Sequence, residues 1–145
     1  MYVMVCTRPD ITQVVRVISR YMSDPNKHWR AVKWILRYLK GSSDMALCYD
    51  VMDVHLYEYE NSDFASDVKS QRSNTVYVFT LRSGAVSWVS RLQKIVVLST
   101  MEAEYVAVTK AYKELIWLKK FMKEQVTSSL HNDSQGAIDL TNNPV

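Results

Sequence analysis

The sequence predicts an α+β fold, with an N-terminal αα-hairpin followed by a sheet that a long helix lies across. Three observations carry this. Ser99 to Gln125 is an amphipathic stretch behind a helix-start signal. Ahead of it, residues 54–61, 75–81 and 85–89 alternate or run apolar over short lengths, as strands do. Before those, the first 43 residues repeat apolar side chains at helical spacing instead.

The 145 residues suffice for about one ordinary domain. A hydrophobic share of 48% with only 3 Gly and 3 Pro describes a folded chain and excludes a disordered one. A net charge of +3 permits binding to nucleic acid without requiring it. Cys6 and Cys48 lack metal spacing and read as reduced core residues of an intracellular protein. No signal peptide is visible, and no apolar run reaches the length that spans a membrane, so no membrane partner is expected.

In chain order, Met1 to Cys6 reads as the end of a strand or a helix. Thr7-Arg8-Pro9-Asp10 starts a helix, with Pro suited to the first turn, and Ser23-Asp24-Pro25 ends it. A second helix covers Lys27 to Lys40, with Gly41 expected as the residue just past its end. Arg30, Lys33, Arg37 and Lys40 on this helix, interleaved with Trp and Tyr, can contact a phosphate backbone or form an ordinary solvated face. Ala46 to Tyr49 and Val54 to Asn61 are expected strands. In the second, His55, Tyr57, Tyr59 and Asn61 share one face, and Val54, Leu56, Glu58 and Glu60 the other. Ser62 to Asn74 is expected to be a polar link. Thr75 to Leu81 and Ala85 to Val89 form a hairpin around Arg82-Ser83-Gly84. Ser129 to Asn132 is a further short strand, and Asp133-Ser134 caps a final helix at Gln135 to Leu140.

The long helix holds the first candidate site residue. Ser99 and Glu102 form a capping box, in which hydroxyl and carboxylate each satisfy a free backbone N–H. At about 100° per residue, Ala107, Val108, Ala111, Leu115, Leu118 and Met122 fall on one stripe, and Glu104 falls with them. Glu102 falls nearly opposite. A carboxylate at the start of an apolar stripe takes a cationic partner at the rim of the core, a metal, or an altered pKa. His28, His55 and His131 have no ligand spacing to one another. The 7 Met and 4 Trp read as core residues rather than cofactor contacts.

Several blocks resemble a known family in the order they stand there. They are T-R-P-D-I at 7–11, H-W-R-A-V-K-W-I-L-R-Y-L-K-G at 28–41, G-A-V-S-W-V-S-R-L-Q-K at 84–94, L-S-T-M-E-A-E-Y at 98–105, E-L-I-W-L at 114–118 and D-S-Q-G-A-I at 133–138. Together they resemble copia-type retrotransposon Pol polyproteins. Residues 1–43 resemble the C-terminal end of a reverse transcriptase and 44–145 a ribonuclease H domain. The resemblance implies a ribonuclease H-like fold: a mixed sheet with an antiparallel three-strand meander, the long helix, then a strand and short helix. It implies a substrate, the RNA strand of an RNA–DNA hybrid, and two Mg²⁺ ions about 4 Å apart held by carboxylates.

Carried over residue by residue, the family's helix glutamate matches Glu104, and the aspartate after its fourth strand matches Asp133. The first-strand aspartate matches Asn61, a neutral amide. Asp63, on the same face but about 6.5–7 Å further along, is the possible surrogate. The family's fourth ligand, with its last strand and helix, lies downstream of this sequence. Met1 matches an internal family position, as in a reading frame opened within a decayed element. The expectation is a chain with little or no nuclease activity and some apolar surface left uncovered.

Overall fold

The computed structural model describes residues 2–24, 26, 28–49, 55–81, 84–122 and 127–131, the last five by their backbone. The chain divides into two compact units, Met1–Cys48 and Tyr49–Val145. The sequence reading placed that division between 43 and 44.

The first unit is helical. Helix α1 covers Tyr2–Cys6, which settles that segment as helix. A 3₁₀ turn, Pro9–Ile11, leads into α2, Thr12–Ser19, and α3 follows at Trp29–Gly41. Pro stands at the start of the turn, where its missing N–H costs nothing. The T-R-P-D block is the pin of this unit. Arg8 donates from Nε to Asp10 Oδ1 at 3.0 Å and from Nη2 to Asp10 Oδ2 at 2.6 Å. The same guanidinium donates to the Ser42 carbonyl at 3.1 Å and to Ser42 Oγ at 2.7 Å. Tyr38 adds a hydroxyl to Asp10 Oδ2 at 2.7 Å. One bidentate pair thus ties the start of α2 to the end of α3. At the other end of the hairpin, Tyr21 and His28 stack with centroids 4.0 Å apart.

Gly41 is not the left-handed residue expected beyond α3. It is still helical, no described glycine has a positive φ, and Arg8 caps Ser42 instead. Among the described residues of this unit, only Met4, Ile11 and Thr12 are buried. Trp29 and Trp34 are exposed, as are Cys6 and Cys48, against the expectation of core placement. Two short helices offer too little facing surface to cover an indole.

The second unit is a four-stranded sheet with one helix on it. Strands β1 (His55–Asp67), β2 (Arg72–Leu81) and β3 (Gly84–Leu92) form an antiparallel meander. Helix α4 (Thr100–Phe121) follows, and β4 (Thr127–His131) returns parallel beside β1. The spatial order is β3-β2-β1-β4. Residues 46–49 form no strand. The polar link expected at 62–74 is mostly strand: β1 continues to Asp67 through a bulge between Asp63 and Asp67, where Ala65 takes φ 48°. Ser73 Oγ accepts from the Ala65 N–H at 3.1 Å, so the kink keeps its backbone bonded. The helix expected at 135–140 lies outside the described residues.

The core lies between sheet and helix: Leu56, Tyr77 and Phe79 from the strands meet Ala111, Leu115 and Leu118 of α4. Fully burying each such Leu or Phe side chain stabilises by about 1.5–3 kcal/mol. Ala103, Ala107 and Ala111 are completely buried, small enough to bring the helix backbone close to the sheet. Ser87 Oγ donates to Glu114 Oε1 at 2.9 Å and fixes the helix from its flank.

Candidate functional site

The start of α4 is built as its sequence requires. Ser99 is extended, and its Oγ accepts from the Glu102 N–H at 3.2 Å. Glu102 returns the bond, but to the Leu98 N–H at 2.7 Å, one residue earlier than the expected box. Beneath this turn lies Gln93, fully buried. Its Nε2 donates to Thr75 Oγ1 at 3.1 Å and to the Ala103 carbonyl at 2.8 Å. Gln93 therefore fixes the first turn of α4 to the sheet end, directly beside Glu104. Glu104 itself is half-buried, at the edge of the apolar stripe.

Along β1 the two faces separate cleanly. Leu56, Glu58 and Glu60 are buried, and Leu56 belongs to the core under α4. Their β2 partners, Leu81, Phe79 and Tyr77, stand on the same face. Asn61 and Asp63 are exposed, paired with Val76 and Asn74, on the face shared with Tyr57 and Tyr59. The structure thus puts Asn61 on the face turned from the helix that carries Glu104. Asp63 goes with it. Asp133 lies outside the described residues; β4 pairs with β1 as far as His131 opposite Tyr59.

Glu58 and Glu60 are the acidic residues this face presents to the interior, and neither was a candidate from the sequence. The signal was there in their alternation with Leu56. Glu58 is 1% exposed, and neither carboxylate oxygen has a hydrogen-bond partner among the described residues. Burial pushes its pKa up from 4.5 to about 7, against a smaller downward pull from Lys119. Among the described residues, no three His, Cys, Asp or Glu side chains stand together as a metal would need.

Cations gather elsewhere. Burial lowers the pKa of Lys110 on α4, and Arg91 and Lys94 at the end of β3 lower it further. On α3, Arg30, Lys33, Arg37 and Lys40 are all exposed, and Arg37 lies over the Trp34 ring at 5.4 Å from its centroid. No described helix is long and apolar enough to cross a membrane.

No family profile and no solved structure matches the chain. Curated relatives do. It is 51% identical to "Retrovirus-related Pol polyprotein from transposon TNT 1-94" of Nicotiana tabacum over 99% of this chain and 11% of that protein. It is 36% identical to "Retrovirus-related Pol polyprotein from transposon RE2" of Arabidopsis thaliana over 96% of this chain and 10% of that protein. It is also 43% identical to "Secreted RxLR effector protein 161" of Plasmopara viticola, over 81% of this chain and 84% of that protein. The chain therefore spans about a tenth of the transposon polyproteins and most of the effector's length.

Proposed function

The chain is a fragment derived from a copia-type retrotransposon Pol polyprotein, and we propose that it is a reverse transcriptase–ribonuclease H segment whose hydrolytic site has decayed. On this reading residues 1–43 are the end of a reverse transcriptase and 44–145 a ribonuclease H-like domain. One observation supports it most: a three-strand meander, then α4, then β4 parallel beside β1 in the order β3-β2-β1-β4. That is the arrangement the sequence resemblance implies.

The ancestral reaction is hydrolysis of the RNA strand of an RNA–DNA hybrid, for which two Mg²⁺ ions would supply the activated water and the charge stabilisation. Two hard dications need several anionic oxygens converging on one place. The donors described do not fit them. Asn61 offers a neutral oxygen on the outer face, Glu104 stands on α4, and no triad of acidic or histidine side chains forms among the described residues. The chain is expected to leave the RNA of a hybrid intact in Mg²⁺ or Mn²⁺. Robust cleavage that Glu104→Gln abolishes would overturn the proposal. Asn61→Asp alone is expected to restore nothing, because the new carboxylate would still face away from α4.

A second reading is favoured by the exposed cations of α3, with Arg37 over the Trp34 ring: a non-catalytic module that binds nucleic acid through them. Binding to hybrid or duplex that weakens steeply with salt, without cleavage, supports it; salt-independent binding counts against it.

A further inference from the structure

We infer that the Glu58 carboxyl is a proton-operated latch between β1 and α4: neutral, it lets the C-terminal half of the helix seat on the sheet, and ionised, it loosens that half. The inference does not depend on the proposed ancestry or on any nuclease activity.

Glu58 stands on an inner strand, with β2 on one side and β4 on the other, and faces the helix. Phe79 is its partner across β2, and Leu130 holds the paired position on β4. Leu56 precedes it on the same face, and Leu115 and Leu118 close the core from above. Sealed in this way, neither oxygen reaches a donor among the described residues. A neutral carboxyl tolerates such a place far better than a carboxylate does.

The charged and titratable groups around it offer little relief. On α4, Lys119 acts on Glu58 through space, but its side chain is exposed and hydrated. Glu114, also on α4, is engaged by Ser87. On β2, Tyr77 is a neighbour whose own ionisation Glu58 and Glu114 both oppose, while Arg91 of β3 favours it. On β1, Glu60 is a second buried acid two residues along. On β4, His131 holds the position opposite Tyr59. Among the described residues, the cation that acts on Glu58 is Lys119, and it stands at the surface.

The direction follows from the raised pKa. Stability from this group is fully present below about 4.5, the value in the unfolded chain, and is lost as pH rises through about 7. The interval corresponds to a change of about 300-fold in the closed-to-open equilibrium.

Hydrogen–deuterium exchange of the full chain, corrected for intrinsic pH dependence, reads this directly. Amides from Leu115 to Phe121 are expected to lose about 75-fold in protection between pH 5 and pH 8.5, the rest of the change lying below pH 5. Glu58→Gln is expected to flatten that profile. Lys119→Met, which removes the cation that eases ionisation, is expected to raise the midpoint, so that the loss of protection runs on to higher pH and becomes larger in total. Protection in the wild type that stays level from pH 5 to 8.5 would overturn the inference, as would a Glu58→Gln variant that loses protection just as the wild type does. Should Glu58→Gln not fold, the wild-type profile and Lys119→Met decide: a midpoint indifferent to Lys119 and placed at an ordinary carboxylate pH rejects the latch.

Discussion

Neutralising Asp10 should weaken the first unit by an amount that disappears in acid. Asp10 accepts from Arg8 through both oxygens and from the Tyr38 hydroxyl, and its pKa is held down from 3.8 to about 2, chiefly by the Arg8 hydrogen bonds. A depression of that size corresponds to a ceiling of about 2.4 kcal/mol. The Asp10 side chain keeps 31% of its exposure, so solvent screens the pair and about 1 kcal/mol is the realistic figure. The sign is fixed: a depressed carboxyl contributes above its unfolded value of 3.8 and loses that contribution as pH falls through about 2. Urea unfolding of the wild type and Asp10→Asn, followed at Trp29 and Trp34, should differ by about 1 kcal/mol at pH 6. The gap should narrow below pH 4 and close near pH 2. Tyr38→Phe combined with Asp10→Asn should cost less than the two separately, because they share one oxygen. Equal stability of Asp10→Asn and wild type at pH 6, or a gap that holds its full size down to pH 2, would refute the reasoning.

Other substitutions test the second unit and α3. Ser99→Ala removes the acceptor of the Glu102 N–H and should cost about 1 kcal/mol, while Ser99→Asp should keep most of it; thermal melts of both check this. Leu115→Ala opens a hole in the cluster with Leu56 and Phe79 and should cost about 2–5 kcal/mol, read as a lower urea midpoint at unchanged slope. If the four exposed cations of α3 each meet a phosphate, duplex affinity should fall with salt at a logarithmic slope of about −3.6, and Lys33→Gln with Arg37→Gln should reduce that slope by about half.

The long helix was legible because its signals are local. A serine three residues before a glutamate, and apolar residues at helical spacing, need nothing from elsewhere in the chain. The second half of β1 was not legible for the opposite reason. Asn61 to Asp67 reads N-S-D-F-A-S-D, a turn-like composition, yet its backbone pairs with β2 as far as Asp67 opposite Arg72. Pairing uses backbone groups that every residue carries, so a partner strand can recruit a polar segment that no side-chain pattern marks. The tryptophans of α3 misled through size: an indole is hydrophobic enough to suggest a core, and the short helices beside it supply too little surface to make one.

The candidate site was half legible, and the missing half is a matter of parity. Alternation along β1 sorts its side chains into two sets from sequence alone, Leu56, Glu58 and Glu60 against Tyr57, Tyr59 and Asn61. Which set meets the helix is decided by where α4 docks, and a strand records nothing of that in its own residues. Matching positions to a family carries residue identity forward without carrying the face. Asn61 therefore inherits a ligand's place in the alignment while lying with exposed neighbours, and the two glutamates beside it inherit the interior. A metal centre needs its oxygens on one side of the sheet, so the same parity that buries Glu58 with no hydrogen-bond partner among the described residues also separates Asn61 from Glu104. The outward placing of Asn61 and the sealed Glu58 carboxyl are then two consequences of one docking choice.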